Sequence, residues 1–244
     1  MKRRIEVFET FYELGRRGAE RFIAAAAAAI TRRGEFTVAL SGGLTPRPLF
    51  RVLASDEYLS RVDWRRTHFF WVDERCVPPA HPDSNYKAVF DLLLSKLPVD
   101  DTHFHRIPGE QSPEVAALSY EQDLRDFFAG QSPPRFDLVI LGVGTDGHTA
   151  SIFPGSRLAI DTSRYAVAIY VEKLDSHRVT LTLPVLNNAR EVVFLVSGKE
   201  KADIGRAFLE ENNQRYPAAL VKPVEGSVTC MLDSEAASLL PEDK

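Results

Sequence analysis

Cysteine and excess positive charge are both scarce in this chain, and each shortage excludes a class of protein. Cys76 and Cys230 are the only cysteines among 244 residues, which excludes a disulfide framework and favours a reducing compartment such as the cytoplasm. The formal net charge is −4, unlike the basic surface of a general nucleic-acid-binding protein. An anionic ligand would therefore have to be held by a few local cations.

Long hydrophobic runs are also missing. The apolar stretch over residues 22–30 is far shorter than the ~20 residues that a membrane-spanning helix needs. The basic start of the chain is followed by Glu6, Glu9 and Glu13 where a signal peptide would have an apolar core. We expect a soluble, cytoplasmic protein with no membrane partner.

The spacing of apolar residues predicts an α/β fold. It predicts a long helix over 8–33, ended by Gly34. Short apolar runs typical of fully buried strands then alternate with helical stretches. The predicted strands are 37–41, 68–72, 138–142, 166–171, 179–183, 192–197 and 228–232, and the further helices are 46–53, 86–95, 113–128 and 199–211. This alternation predicts a mostly parallel sheet.

Two features refine that architecture. The short connection between 179–183 and 192–197 predicts some antiparallel pairing or a small side layer. We find no internal repeat and no disordered linker in the sequence, so we expect one domain over residues 1–244.

The first segment that suggests chemistry follows the strand at 37–41. It reads Ser41-Gly42-Gly43-Leu44-Thr45-Pro46, and it predicts a helix with Thr45 as N-cap and Pro46 as its first residue. Two successive glycines let backbone N–H groups converge beside the helix, which is a device for binding anions such as phosphate. Taken alone, the motif fits an ordinary strand-to-helix turn equally well.

A second glycine-rich segment follows the apolar run 138–142. Gly142, Gly144 and Gly147 bracket Asp146, and His148 comes next. Ligands of open α/β sheets bind where strands end in this way. We expect His148 at a helix N-terminus, where the dipole would keep its ring uncharged and suited to a general base. Asp146 would orient that ring or hold a substrate hydroxyl, and a histidine that merely caps its helix is the alternative.

The same residues also match the G-x-G-x-x-G pattern of dinucleotide-binding proteins. Glu172 even falls near the spacing of the ribose-binding acid. However, Pro154-Gly155 would end the following helix within about two turns, and Asp146 would place a carboxylate near the pyrophosphate. Dinucleotide binding is the weaker interpretation.

Charged residues at the ends of other apolar strands complete the candidate site. Asp73 and Arg75 follow the strand at 68–72, and Arg75 can bind an oxyanion or carboxylate, unless it is simply ion-paired there. Arg178 and Lys199 lie at strand ends where they can neutralise a phosphate dianion, although such cations are often only solvated. His103 and His105 have no further ligands at metal-binding spacing, so we expect no metal.

In this order, the segments together resemble those of the 6-phosphogluconolactonases. The matching pieces are Ser41 to Pro46, Trp71 to Arg75, Asp83 to Tyr86, Gly142 to His148 with Ser151 to Pro154, Arg178 to Thr182, and Ser197 to Lys199. Related glucosamine-6-phosphate deaminases share the Ser-Gly-Gly loop and Asp-Gly-His, but usually continue with Phe-Asn-Glu-Pro. Here Ser151-Ile-Phe-Pro154 and Arg75 favour the lactonase. Leu44 stands where the group often has Ser, so a side-chain contact to phosphate is in question there.

The resemblance implies a Rossmann-like three-layer α/β/α fold and an enzyme without cofactor or metal. Its implied reaction is the hydrolysis of 6-phospho-D-glucono-1,5-lactone in the oxidative pentose phosphate pathway. The implied catalytic residues are His148, Asp146 and Arg75. The implied substrate-binding residues are Ser41, Gly42, Gly43, Leu44, Thr45, Asp73, Arg178 and Lys199. A ring-opening deaminase or isomerase, a dinucleotide-dependent enzyme and a noncatalytic sugar-phosphate-binding protein remain alternatives, and the oligomeric state, a monomer included, stays open.

Overall fold

The structure, a computed structural model, describes residues 3–209 and 215–241. The strands are β1 (Arg4–Phe8), β2 (Phe36–Leu40), β3 (Thr67–Trp71), β4 (Asp73–Arg75), β5 (Phe104–His105), β6 (Leu138–Leu141), β7 (Ala166–Val171), β8 (Ser176–Leu181), β9 (Glu191–Val196) and β10 (Ser227–Asp233). The α-helices are α1 (Phe11–Arg33), α2 (Arg47–Leu53), α3 (Asp56–Leu59), α4 (Asn85–Leu92), α5 (Pro113–Phe127), α6 (Arg157–Ile160), α7 (Leu183–Leu186), α8 (Ala202–Leu209) and α9 (Pro217–Leu220).

A seven-stranded sheet forms the centre, in the order β1-β10-β9-β6-β2-β3-β5. All of its strand pairs are parallel, so their carboxyl ends meet along one edge. Every residue of β2 and of β6 is buried, because continuous apolar strands must be covered on both faces. The predicted α/β class and mostly parallel sheet are confirmed.

Strands β4, β8 and β7 form a second, antiparallel sheet, the side layer, that shares no strand with the central sheet. The chain passes from β3 to β4 through Val72 alone. The Val72 N–H donates to the carbonyl of Leu40 in β2, and its carbonyl accepts from the N–H of Leu181 at the end of β8. This residue therefore connects the side layer to the carboxyl edge of the central sheet.

The predicted pairing of 179–183 with 192–197 is wrong, although the side layer itself exists. β8 pairs with β4 and β7, whereas β9 lies between β6 and β10 in the central sheet. The short connection carries the chain from one sheet to the other through α7 instead of forming a hairpin. Strands β1, β4 and β5 were not predicted at all.

The start of α5 at Pro113 is as predicted, whereas α1 and α8 begin later than predicted. Helix α1 begins at Phe11, because the Thr10 side chain accepts a hydrogen bond from the N–H of Glu13 and so caps it. The stretch predicted as a helix over 199–211 starts with a 3₁₀ turn before α8, and its last two positions lie outside the described residues. Across 3–209 and 215–241, no helix is long and apolar enough to cross a membrane.

The edge of the sheet at β3 and β5 carries a histidine cluster of His68, His103 and His105. The Nδ1 atom of His68 lies 3.4 Å from Nε2 of His105, and the His103 ring stacks on that of His68. Among the described residues, no group of three or more potential ligands is placed to hold a metal ion. Burial, followed by the neighbouring His105 and His103, lowers the pKa of His68 to about 4.

This pKa predicts that folding stability falls in mild acid. An unfolded His68 takes up a proton near pH 6.5, whereas the folded one does so near pH 4. The unfolded state therefore binds more protons between those values, and stability is lost as the pH falls through that window. We expect His68→Phe to remove about 1 kcal/mol of this loss, since solvent screens a half-buried ring.

Urea unfolding of both proteins at pH 7 and pH 4.5 measures the difference, with the exposed His81 changed to Phe as the matched control. Equal losses of unfolding free energy between pH 7 and pH 4.5 in wild type and His68→Phe would contradict the role given to His68.

Candidate active site

A cleft of about 470 Å³ opens at the carboxyl edge of the central sheet, beneath the side layer. Its walls come from the loops after β2, β6 and β9 and from strand β4. The turn between β7 and β8, together with β8 itself, completes them. The sequence-predicted residues that line it are Ser41, Gly42, Gly43, Leu44, Thr45, Asp73, Arg75, His148 and Arg178. Asp146 and Lys199 are not part of this lining. The cleft lies where open α/β sheets usually bind ligands.

The loop after β2 presents its backbone to the cleft. Gly42 must lack a side chain, because a Cβ atom there would lie 1.9 Å from Oδ1 of Asn85. The Ser41 hydroxyl is already used, since it donates to the carbonyl of Ile140 at 2.8 Å. Within the described chain, the N–H groups of residues 42–45 donate to no protein acceptor. They remain available to an anion.

The predicted capping of the next helix is wrong. Helix α2 begins at Arg47, its N-cap position is Pro46, and no side chain caps it. Thr45 lies instead in the turn before the helix and lines the cleft. The anion-binding character of this loop therefore depends on its free amides.

His148 does not lie at a helix N-terminus, contrary to prediction. The segment after β6 runs as an irregular loop until α6 begins at Arg157. The loop is closed by a hydrogen bond from the N–H of Gly144 to the carbonyl of His148, at 2.8 Å. A helix dipole therefore cannot keep the ring uncharged, and the dinucleotide interpretation also fails, because that fingerprint needs a helix directly after the glycine turn.

Three neighbours fix the His148 ring. Its Nδ1 atom lies 2.5 Å from Oδ1 of Asp146, and the ring stacks on Phe153 with 4.4 Å between centroids. It also lies over Gly144, where a Cβ atom would be 2.0 Å from Nδ1. An ionised carboxylate only accepts hydrogen bonds, so Nδ1 carries the proton and Nε2 keeps a free lone pair. That arrangement suits a general base.

Asp146 itself is held from the other side by Lys173, which sequence reasoning missed. The Lys173 ammonium forms an ion pair with Oδ2 of Asp146. Burial raises the pKa of Asp146, but the hydrogen bonds from Lys173 and His148 together lower it by more. The pKa of Asp146 is therefore well below its usual range. Asp146 is therefore ionised at neutral pH and orients the imidazole.

Two arginines lie side by side on adjacent strands of the side layer. Arg75 of β4 and Arg178 of β8 are register partners, and both have a buried Nε atom without a hydrogen-bond partner. The Arg75 Nη1 group donates to the carbonyl of Asp83 at 2.6 Å and not to a neighbouring carboxylate. Burial, and next the charge of Arg75, lower the pKa of Arg178. A pair of adjacent, incompletely satisfied guanidinium groups favours binding of an anion.

Asp73 is a buried carboxylate at the same end of the cleft. Its Oδ2 accepts from the Ser151 hydroxyl at 2.6 Å, and its Oδ1 accepts from Nδ2 of Asn85 at 3.2 Å. Ser151 and Asn85 stand in the motifs that carry the family resemblance, but their long-range contact with Asp73 leaves no signal in the sequence. The fixed carboxylate can accept hydrogen bonds from sugar hydroxyls.

Lys201, and not Lys199, lines the cleft. Lys199 is exposed at the start of the 3₁₀ turn, and two residues further on the chain has rotated toward the cleft. Asp233 fixes the start of this turn by accepting hydrogen bonds from the Ser197 hydroxyl and the Gly198 N–H. The sequence pattern predicted Lys199 and not Lys201, because Lys199 directly follows Gly198 at the end of the strand.

Comparisons with known proteins agree on one family. The model of the family described as glucosamine-6-phosphate isomerases/6-phosphogluconolactonase matches residues 9–230. The 6-phosphogluconolactonase of Rattus norvegicus is 40% identical over 97% of this chain and 93% of its own. The chloroplastic 6-phosphogluconolactonase 3 of Arabidopsis thaliana is 40% identical over 85% of this chain, which spans only 66% of that relative's length. The solved structure of 6-phosphogluconolactonase from Trypanosoma brucei has a TM-score of 0.87 at 30% identity, covering 98% of this chain and 99% of that one.

The positions of the two lysines predict that only one of them contributes to anion binding. We expect Lys201→Met to weaken the binding of inorganic phosphate about tenfold, the loss that follows from removing one charge-assisted hydrogen bond. Lys199→Met should leave the affinity unchanged, because its side chain lies outside the cleft. Isothermal titration calorimetry with phosphate measures both, and the reverse order of effects would contradict this placement.

Proposed function

The chain belongs to the glucosamine-6-phosphate isomerase/6-phosphogluconolactonase family, and we propose that it hydrolyses 6-phospho-D-glucono-1,5-lactone to 6-phospho-D-gluconate. The observation that carries this proposal is a single cleft shared by a histidine with a free Nε2 and a pair of unneutralised arginines. The substrate has the matching polarity, with a phosphate dianion at one end and an ester carbonyl at the other.

The phosphate end of the substrate is assigned to the cationic side of the cleft. The free amides after Gly42, the guanidinium of Arg178 and the ammonium of Lys201 would neutralise the dianion. Asp73 would accept hydrogen bonds from the sugar hydroxyls. Because these contacts lie away from the reacting carbon, their binding energy serves to orient the lactone toward His148.

Hydrolysis requires a base and stabilisation of a tetrahedral oxyanion. Nε2 of His148 takes a proton from water as the water oxygen bonds to C1 of the lactone. Arg75, or loop N–H groups, would stabilise the negative charge that develops on the carbonyl oxygen. The bond between C1 and the ring oxygen then breaks, and the proton on His148 passes to that oxygen, which becomes a hydroxyl. No covalent intermediate is needed, because a δ-lactone is already an activated ester.

Such an enzyme works in the oxidative pentose phosphate pathway, and we place it in the cytoplasm. The low cysteine content supports this compartment. The proposed partner is the sugar-phosphate lactone alone, without nucleic acid, and no organic cofactor or metal enters the proposed steps.

An assay with freshly made lactone tests the proposal. Glucose 6-phosphate is oxidised in situ, and acid release is followed with and without the protein. We expect acid release to exceed the uncatalysed rate, and we expect no ammonia from glucosamine 6-phosphate. Ammonia release without faster lactone hydrolysis would favour the deaminase, while binding of phosphogluconate without either reaction would favour a noncatalytic sugar-phosphate-binding protein.

The base assignment predicts a separation of turnover from binding. His148→Ala should lower kcat about a hundredfold or more, because a positioned general base contributes that much. Affinity for 6-phosphogluconate, measured by calorimetry, should stay near wild type, since the phosphate contacts are intact. The exposed His177, whose ring packs on Tyr170, offers the matched control as His177→Ala. A kcat near wild type in His148→Ala would remove this histidine from the proposed mechanism.

A further inference from the structure

Lys173 has an unusual environment for a lysine on a surface turn. It lies in the 3₁₀ turn 172–174 that joins β7 to β8, and its side chain is about half exposed. Most surface lysines are solvated and contribute little. Here the ammonium instead contacts Oδ2 of Asp146 and lies 4.8 Å from the centre of the Phe153 ring.

These contacts close a ring of four side chains. Phe153 stacks on His148, and His148 contacts Oδ1 of Asp146. Oδ2 of Asp146 binds the Lys173 ammonium, which also lies over the face of Phe153. Lys173 belongs to the side layer, whereas the other three belong to the loop after β6. The ring therefore joins the two sheets beside the proposed base.

We propose that Lys173 is a positioning residue for His148, which acts through Asp146 and Phe153. The inference rests on the proposed function, since it assigns a role in that reaction. Both oxygens of Asp146 are engaged, one by the imidazole and one by the ammonium. Without Lys173 the carboxylate would be anchored at one oxygen only, and the Nδ1–H that it orients would be held less firmly.

Electrostatics gives Lys173 a second effect. A lone carboxylate beside an imidazole favours the charged imidazolium form, which cannot accept a proton from water. A cation on the other oxygen of the carboxylate offsets that effect. The hydrogen bond from Lys173 also helps to lower the pKa of Asp146 against the opposing effect of burial.

Other charged groups face the same cleft and remain unchanged when Lys173 is replaced. The cations are Arg75, Arg178 and Lys201, and the carboxylates are Asp73 and Glu200. On the turn itself, Glu172 is exposed and Asp175 accepts from the Tyr170 hydroxyl. A shift in pH dependence between wild type and a Lys173 variant therefore reports the charge at residue 173.

The test compares Lys173→Met, which keeps an unbranched apolar stem without the ammonium, with Lys173→Arg, which keeps the charge. Lys173→Met should lower kcat about tenfold, the cost of losing an outer partner of a functional histidine, with KM within twofold of wild type. The acidic limb of its kcat profile should move to higher pH. Lys173→Arg should keep most of the wild-type kcat and an acidic limb near the wild-type pH. Lys96→Met changes an exposed lysine outside the cleft and should match wild type in both properties.

A kcat and pH profile in Lys173→Met equal to those of an active wild type would overturn the inference. The inference would also be overturned if Lys173→Met and Lys173→Arg lost the same kcat and the acidic limb of the kcat profile did not move. A structural defect would then be enough to explain the lower kcat.

Nitrogen NMR of the imidazole provides a readout that does not depend on turnover. With His148→Ala to assign its signals, the wild-type ring should carry its proton on Nδ1 at neutral pH. Lys173→Met should increase the Nε2–H and doubly protonated forms, and unchanged spectra would overturn the inference. If the wild type fails to hydrolyse the lactone, the proposed function falls, whereas these spectra still decide whether Lys173 controls the histidine.

Discussion

Val72 lies between the two sheets and hydrogen-bonds to both, and the cleft opens at that junction. Its N–H bonds to Leu40 of the parallel sheet, and its carbonyl accepts from Leu181 at the end of the antiparallel one. The next residues, Asp73 to Arg75, must therefore extend over the carboxyl edge of the central sheet, where they pair with β8. The glycine loops after β2 and β6 end directly beneath them, so each loop faces a charged strand across a narrow space.

The two arginines of this cleft form no ion pair with Glu74, because that carboxylate is already satisfied by other donors. Glu74 lies between Asp73 and Arg75, but its two oxygens accept from the N–H groups of Arg75, Asn85 and Tyr86 and from the Ser84 hydroxyl. Burial raises the pKa of Glu74, and these four donors oppose that rise. A carboxylate saturated in this way stabilises the start of α4 and has no lone pair directed at the arginines. The guanidinium groups are left for a ligand.

The sequence predicts the centre of this molecule better than its edges, for a physical reason. Interior strands such as β2 and β6 are continuous apolar runs, because both faces are covered. Edge strand β1 mixes Arg4 and Glu6 with apolar residues, and β5 has only two residues, so neither has a recognisable pattern. In the site, the glycine loops and His148 stand out locally, whereas the contact of Lys173 with Asp146 joins residues 27 positions apart. Only the packing of two sheets brings that pair together.

The loop that carries His148 also shows how site geometry opposes local backbone preference. Ala150 has a φ of +49°, a left-handed conformation that costs a residue with a Cβ about 1–2 kcal/mol. This conformation reverses the chain between Thr149 and Ile152, which bond to each other through their backbones. The reversal lets His148 and Ser151 line the same cleft, and the Ser151 N–H then reaches the Thr180 hydroxyl in the side layer. The strain is thus offset by contacts that exist only when both sheets are in place, which makes the proposed base depend on the whole fold and not on its own loop.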